Sequence, residues 1–143
     1  MTGPAPSETV HATCVAIAGR GLLLLGHSGS GKSDLALRLI DRGAILVSDD
    51  YTIVTAKDGR LLGRAPPTIA GKIEVRGIGL LEMDCARDVP VCLAIDLDRI
   101  PDRLPEAGET LNVAGGAVPL IGLIGLEASA PIKAEQALAR FGL

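Results

Sequence analysis

Residues 26–33 form the stretch that decides the fold, and they read Gly26-His27-Ser28-Gly29-Ser30-Gly31-Lys32-Ser33. The spacing matches the phosphate-loop (P-loop) pattern, in which two glycines separated by four residues are followed by a lysine and a hydroxyl residue. A strand, a glycine-rich loop and a helix in this order point backbone N–H groups and the positive end of the helix at a phosphate. The sequence therefore predicts that this stretch binds a nucleotide, with the lysine on its phosphates and the last serine hydroxyl on Mg²⁺.

Hydrophobic patterns on both sides of this loop predict an α/β fold, a mixed sheet with flanking helices. An apolar run precedes the loop, and an amphipathic helix follows it and ends at Gly43. Further strands are predicted at 10–17, 44–48, 51–56, 61–64, 89–97 and 118–126, and a second helix at 131–141. Residues 65–84 follow no clean period, and 98–110 read as a polar loop. We expect residues 1–8 to be a flexible N-terminus and residues 9–143 to be a single domain.

Composition excludes several classes of protein. The chain has 143 residues, a net charge of −3, one Tyr, one Phe and no Trp. Nucleic-acid binders use aromatic platforms and basic surfaces, so we predict no nucleic-acid partner. No apolar run approaches the roughly 18 residues that span a bilayer, and the first residues lack a signal-peptide pattern. The three cysteines lack metal-site spacing and fit buried thiols in a reducing compartment, so we predict a cytoplasmic protein without a membrane partner.

An acidic pair, Asp49 and Asp50, ends the strand that follows the first helix. In a parallel sheet that end lies beside the phosphate loop, where ligands collect. Adjacent side chains of an extended strand point to opposite sides. One carboxylate could therefore face Mg²⁺ while the other accepts a proton from an incoming hydroxyl group.

Other polar residues are open to two interpretations from pattern alone. Glu74 is either a second metal ligand or a residue of an ordinary surface strand. Arg99 or Arg103 either stabilises transition-state charge or is simply solvated. His11, in the first strand, reads as a structural histidine.

Four stretches together resemble the catalytic domain of HPr kinase/phosphorylase, the bacterial enzyme that acts on a serine of the phosphocarrier HPr. They are VHATCVAI (10–17), GHSGSGKSDLALRLIDRG (26–43), LVSDD (46–50) and IEVRGIGLLEMD (73–84), and the resemblance runs from about His11 to Met83. The last stretch is the most specific, because generic phosphate-loop proteins lack it. The resemblance implies a P-loop kinase domain of the type related to phosphoenolpyruvate carboxykinase.

The resemblance also implies roles for individual residues. Residues 26–33 would bind ATP, with Lys32 on the phosphates and Ser33 on Mg²⁺. Asp50 would be the general base in phosphorylation and the general acid in the reverse reaction. Two further carboxylates, Asp49 and Glu74, would lie at the metal. Finally, two side chains match active-site positions of the family, and these are His11 and Arg103.

Two departures from the family pattern modify this expectation. The chain begins almost at the kinase fold, as in the short form found in alphaproteobacteria. The segment before the last helix, GLEASAPIK, holds one basic residue, Lys133, where the family has a basic loop important for the phosphorylase direction. We therefore expect a kinase for HPr or its nitrogen-branch counterpart, with a weakened or lost phosphorylase activity. The family is often hexameric, which implies a homo-oligomer.

Two other functions use the same loop and acidic pair. A small-molecule kinase would share both features, but nucleotide kinases usually add an arginine-rich helical lid that this sequence does not contain. A nucleotide-binding sensor would bind nucleotide without transferring phosphate. It would not be a GTPase, because the sequence has no guanine-reading N-K-x-D run.

Overall fold

A computed structural model describes residues 5–106 and 108–143. The elements in chain order are β1 (Ser7–Val10), β2 (Ala12–Ile17), β3 (Arg20–Leu25), α1 (Lys32–Asp41), β4 (Ile45–Ser48), β5 (Thr52–Lys57), β6 (Arg60–Arg64), β7 (Lys72–Val75), β8 (Gly79–Glu82), β9 (Val89–Asp96), β10 (Thr110–Val113), β11 (Gly116–Gly122) and α2 (Ala130–Phe141). In these ranges no helix is both long and apolar enough to cross a membrane.

Strand β9 is the centre of the main sheet, whose order is β1-β5-β6-β9-β3-β2-β4. One edge of β9 pairs with β3 in parallel. β9 also pairs with β6, antiparallel, through Val89 and Pro90, and with β11, in parallel, through Ala94 to Asp96. The sheet therefore branches at β9 and curls, because this strand pairs with three others, β3, β6 and β11.

Hydrophobic side chains of the central strands fill both faces of the sheet. Leu22 and Leu24 of β3 pack with α1 and α2, whereas Leu23 packs with the β5–β6 and β10–β11 layer. This division follows from the alternation of side chains along a strand. It explains why β3 reads as a continuous apolar run.

The two helices cover one face of the sheet with small and branched apolar residues. Leu35 and Leu39 of α1 and Ala134 and Leu138 of α2 are buried in the same cluster. The predicted α/β fold, with helices flanking a mixed sheet, is confirmed in these elements.

Several boundaries differ from the sequence predictions. The predicted strand 10–17 is two strands, separated at His11, because β1 pairs with β5 whereas β2 pairs with β3 and β4. Ser7 and Glu8, assigned to the flexible N-terminus, lie in β1, and residues 1–4 of that segment lie outside the described residues. The last predicted strand ends at Gly122 instead of residue 126.

Two pairings were missed by the sequence analysis. Residues 65–84, which show no clean period, contain the short hairpin β7–β8. The predicted polar loop 98–110 ends in the first residue of β10, which pairs with β11. Strands β7, β8 and β10 have only four residues each. This is too few for an alternation of polar and apolar residues to be recognised in the sequence.

The strand that carries the acidic pair is not part of a purely parallel sheet. β3 and β4 run in the same direction, but β2 lies between them and is antiparallel to both. The carboxyl ends of β3 and β4 therefore still share one edge of the sheet. The loop after β3 and the acidic pair after β4 meet at that edge.

Candidate functional site

The loop 26–33 links β3 to α1 and requires glycine at defined positions. Gly31 precedes the helix with a φ of 96°, in the left-handed region that favours glycine. A Cβ on Gly26 would lie 2.9 Å from the Ser30 Cβ, too close for two carbon atoms. The glycines therefore allow the tight turn that the pattern predicts.

Two polar side chains of this loop, Lys32 and Ser30, are buried. The Lys32 side chain is largely buried, with 6% of the residue exposed, and its Nζ donates to the carbonyls of Gly26 (2.6 Å) and His27 (3.2 Å). The Ser30 hydroxyl is buried and has no hydrogen-bond partner within the described residues. A buried polar atom without a partner is costly, so this hydroxyl is a position where a ligand oxygen would be favourable.

Asp49 connects the loop 26–33 to two other segments, β2 and β7. Its Oδ1 accepts hydrogen bonds from the Ser33 hydroxyl (2.6 Å) and the Thr13 hydroxyl (3.1 Å). Its Oδ2 accepts the backbone N–H of Glu74 (3.1 Å). The residue is 8% exposed. The Ser33 and Asp49 oxygens, which are hard donors of the kind that Mg²⁺ prefers, therefore lie side by side.

Asp50 faces the opposite way and lies at the surface. Its backbone has a φ of 65°, so it is left-handed and not extended as the sequence analysis assumed. Its N–H donates to Thr13 Oγ1 (3.1 Å), and its Oδ1 lies 2.8 Å from His11 Nε2. The Tyr51 ring stacks on the His11 ring, with 5.1 Å between centroids. The two carboxylates thus diverge as predicted, but through a turn in the backbone instead of strand alternation.

Sequence reasoning missed the partner of His27. Asp98, two residues after β9, accepts the His27 backbone N–H through Oδ2 (2.8 Å) and contacts the ring Nδ1 through Oδ1. The hydrogen bond from the His27 ring is the main cause that lowers the pKa of the Asp98 carboxyl group. The only available signal was an acidic residue at the end of a strong strand, which becomes informative once β9 is known to lie beside β3.

The side chains of the remaining predicted site residues, Glu74 and Arg103, are exposed and do not contact the loop or the acidic pair through hydrogen bonds in the described residues. Glu74 lies in β7 with its backbone at Asp49, but its side chain is exposed and makes no hydrogen bond in residues 5–106 or 108–143. Arg103 is exposed in the segment between β9 and β10, where it makes no hydrogen bond or ion pair to the described residues. Arg99, the alternative arginine, is paired with Glu109. Across the same residues, no three His, Cys, Asp or Glu side chains form a cluster that could hold a metal.

A cavity of about 620 Å³ lies away from this edge. Residues at its walls include Arg20, Arg60, Leu61, Val91 and Cys92, at the opposite end of β9. None of the predicted site residues lines it. The chemistry of the loop and the acidic pair, and not cavity size, identifies the candidate site.

Comparison with known proteins shows which family the chain belongs to. The family model described as HPr Serine kinase C-terminal domain matches residues 4–87, which include the loop, the acidic pair and β7–β8. The chain belongs to this family. The predicted family membership is therefore confirmed, although the matched range ends before Asp98 and Arg103.

Individual relatives match different shares of the chain. An HPr kinase/phosphorylase of Clostridium beijerinckii is 44% identical over 79 residues, which are 55% of this chain and 26% of that protein. One of Burkholderia lata is 40% identical over 123 residues, covering 78% of this chain and 38% of that protein. The chain thus matches well under half the length of these curated relatives.

A solved structure extends the similarity to almost the whole chain. The Hpr(Ser) kinase/phosphatase from Coxiella burnetii superposes with a TM-score of 0.81 and 29% sequence identity. The match covers 92% of this chain and 88% of that one. The branched sheet and its two helices therefore have the architecture of that protein.

Proposed function

We propose that this protein is an ATP- and Mg²⁺-dependent protein-serine kinase whose substrate is HPr or its nitrogen-branch counterpart. One observation carries the proposal: Asp49 turns inward to Ser33, whereas Asp50 turns outward to His11 at the same sheet edge. A phosphoryl-transfer site needs one carboxylate for the metal and another for the acceptor hydroxyl. The names of the relatives, HPr kinase/phosphorylase, support this choice of reaction and substrate.

The loop 26–33 would bind the triphosphate of ATP. Lys32 is already largely buried against the loop, so its ammonium group needs little rearrangement to contact phosphate oxygens. Ser33 and Asp49 fit a magnesium ion, because their oxygens are 2.6 Å apart and both are hard donors. Bound Mg²⁺ would neutralise charge on the phosphates. Glu74 is proposed as a further carboxylate at the metal, supported by the contact of its backbone with Asp49.

Asp50 would act as the general base. Its exposed carboxylate is open to a serine hydroxyl from a protein substrate, and His11 holds one of its oxygens. The serine oxygen forms a bond to the γ-phosphorus, the bond between that phosphorus and the bridging oxygen breaks, and ADP leaves. The serine proton passes to Asp50. Arg103 is proposed as an additional cation for the transition state, on the resemblance alone.

The reverse, phosphorylase direction is proposed to be weak or lost. Lys133 is the one basic residue of the stretch GLEASAPIK, and it lies within α2, with its Nζ 3.4 Å from the Glu127 carboxylate. A paired lysine is less available to a phosphate than a free one. A cytoplasmic location and a homo-oligomer, hexameric by family resemblance, belong to the same proposal.

Phosphate mapping tests the proposal directly. The protein is incubated with ATP, Mg²⁺ and the host's HPr-like protein, and the modified residue is located by mass spectrometry. We expect phosphoserine on the carrier. Transfer to a small metabolite instead would favour a small-molecule kinase, and nucleotide binding without any transfer would favour a sensor.

A matched pair of variants tests the base. Asp50→Asn should reduce transfer by about 100-fold or more while ATP still binds. Asp58→Asn is the control, because Asp58 is also exposed and left-handed, with a φ of 52° in the β5–β6 turn. Wild-type transfer by Asp50→Asn would overturn the assigned role.

A further inference from the structure

The loop between β11 and α2, residues 123–129, lies directly on the loop 26–33. A Cβ placed on Gly31 would lie 2.7 Å from Leu126 Cδ2. A Cβ placed on Gly125 would lie 3.3 Å from the Ser30 carbonyl oxygen and 2.9 Å from Leu97 Cδ1. Glycine at both positions therefore allows the two loops to pack this closely.

Arg38 fixes the position of this second loop. Its Nη2 donates to the Gly125 carbonyl and its Nη1 to the Glu127 carbonyl (2.9 Å), on either side of Leu126. Asp34, one helical turn earlier, holds the same guanidinium group at 2.9 Å. Because Arg38 and Asp34 belong to the helix that starts at the loop 26–33, Leu126 is held at a fixed place relative to that loop.

Leu126 presents an apolar surface that residues 5–106 and 108–143 leave exposed. The residue is 66% exposed although it touches Gly31. An exposed leucine is unremarkable alone. Here, however, the leucine lies beside the loop 26–33, which is proposed to bind a triphosphate. The base of a bound nucleotide is flat and weakly polar and would contact an apolar side chain near that loop.

The two aromatic side chains of the protein are engaged elsewhere. Tyr51 is stacked on His11, and Phe141 packs at the end of α2 against the core beneath the helices. Leu126, which touches the loop 26–33 and is exposed, offers an aliphatic surface to a base there.

We propose that Leu126 contacts the base of the bound nucleoside triphosphate and that Arg38 is the positioning residue that holds it there. This inference rests on the proposed function in one respect, the binding of a nucleoside triphosphate at residues 26–33. A leucine side chain offers no hydrogen bond, so Leu126 supplies affinity for a purine base without selecting which purine.

Binding measurements without any acceptor protein test the proposal. Calorimetry compares ATP with inorganic tripolyphosphate, which has the phosphates but no base, both with Mg²⁺. For Leu126→Ala we expect the Kd of ATP to rise about fivefold and that of tripolyphosphate to change less than about twofold. Leu104→Ala is the control, because Leu104 is 84% exposed in another segment, and it should leave both values unchanged.

Further variants separate contact from packing. Leu126→Met keeps an apolar side chain of similar size and should restore most of the ATP affinity. Arg38→Gln should weaken ATP binding in the same selective way, with a thermal unfolding curve recorded to check that the variant is folded.

Three results would overturn the proposal. Equal weakening of ATP and tripolyphosphate in Leu126→Ala would mean that the leucine only supports the glycine loop. No change in either ligand would mean that the base lies elsewhere. If wild-type protein binds neither ligand, the proposed function itself fails, which the first two results do not imply.

Discussion

Nε2 of His11 lies 2.8 Å from Oδ1 of Asp50, and both side chains are about half exposed. Tyr51, the next residue in the chain, covers the imidazole with its own ring at an interplanar angle of 29°. The catalytic carboxylate proposed here is therefore oriented by a histidine that is itself held from one side by an aromatic ring.

Removing that ring should impair transfer without affecting nucleotide binding. Tyr51→Ala is expected to lower kcat about fivefold with an unchanged KM for ATP, because a stacked aromatic pair contributes roughly 0.5–1.5 kcal/mol. Tyr51→Phe keeps the stacking and should retain wild-type kcat. Loss of activity in Tyr51→Phe would instead indicate a role for the hydroxyl group.

The same contact can be observed spectroscopically. The sequence has one Tyr and no Trp, so tyrosine emission reports Tyr51 alone. We expect His11→Ala to change this emission and His27→Ala to leave it unchanged. Equal spectra for both variants would contradict the stacked arrangement in solution.

Asp49 should matter for stability as well as for the proposed magnesium site. Asp49→Ala leaves the Ser33 and Thr13 hydroxyls and the Glu74 N–H without their acceptor. Hydrogen bonds to a charged group contribute about 1.5–3 kcal/mol each and are not additive, so we expect a loss of about 2–4 kcal/mol in the free energy of unfolding. Urea denaturation measures this value. Asp84→Ala, at an exposed residue, should change it by less than about 0.5 kcal/mol.

Asp98 should support the proposed phosphate-binding loop. Asp98→Ala removes the acceptor of the His27 N–H. We expect ATP and tripolyphosphate to weaken by the same factor, about threefold to tenfold, because the loop loses order while any base contact is kept. Calorimetry with the two ligands measures both factors, and a selective loss of ATP binding would contradict this role.

The pH dependence of the Asp98 contact follows from its lowered pKa. The carboxylate is the form that accepts the hydrogen bonds, so its contribution is present above the ordinary value of 3.8 and is lost as the pH falls through the lower folded-state value. An NMR titration of the carboxyl carbon should therefore show a midpoint below 3.8. A midpoint above that value would mean that the contact with His27 is absent in solution.

Cys14 should be inert to thiol reagents in the folded protein. It is fully buried, and burial raises the pKa of its thiol to about 12. Cys92 is also buried and Cys85 is partly exposed, so the predicted buried state holds for two of the three thiols. Mass spectrometry after alkylation should find Cys85 modified first and Cys14 only after unfolding.

The raised pKa of the Cys14 thiol also predicts how the free energy of unfolding changes with pH. The neutral thiol is favoured in the folded state, so stability is unaffected below the ordinary thiol pKa of 9.0 and falls as the pH rises towards about 12. Cys14→Ala should flatten this part of the stability curve. An unchanged alkaline slope would assign it to other groups.

Local sequence predicted the parts of the site that are close together in the chain. The loop 26–33 and the pair Asp49 and Asp50 follow strongly patterned strands, so their positions at one sheet edge could be inferred. The left-handed backbone of Asp50 could not, since aspartate adopts it only in particular contexts.

The missed features depend on contacts between distant segments. Asp98 meets His27 across 71 residues, and this contact exists because β9 pairs with β3. Leu126 reaches Gly31 for a similar reason, since β11 pairs with β9. No pattern within a short window encodes which strands become neighbours, so these residues could be identified only from the fold.

The pairing of β3 with β9 also has a consequence during protein synthesis. Paired residues of the two strands, such as Gly21 and Val91, are about 70 positions apart in the chain, whereas β2 and β3 form a hairpin as soon as both are made. Until β9 emerges from the ribosome, the backbone groups along one edge of β3 have no partner strand, and its leucines from Leu22 to Leu24 lack part of the core on both faces. Unpaired apolar edges bind other chains readily. We therefore expect the nascent chain to aggregate most readily in this interval and to benefit from a chaperone that shields β3.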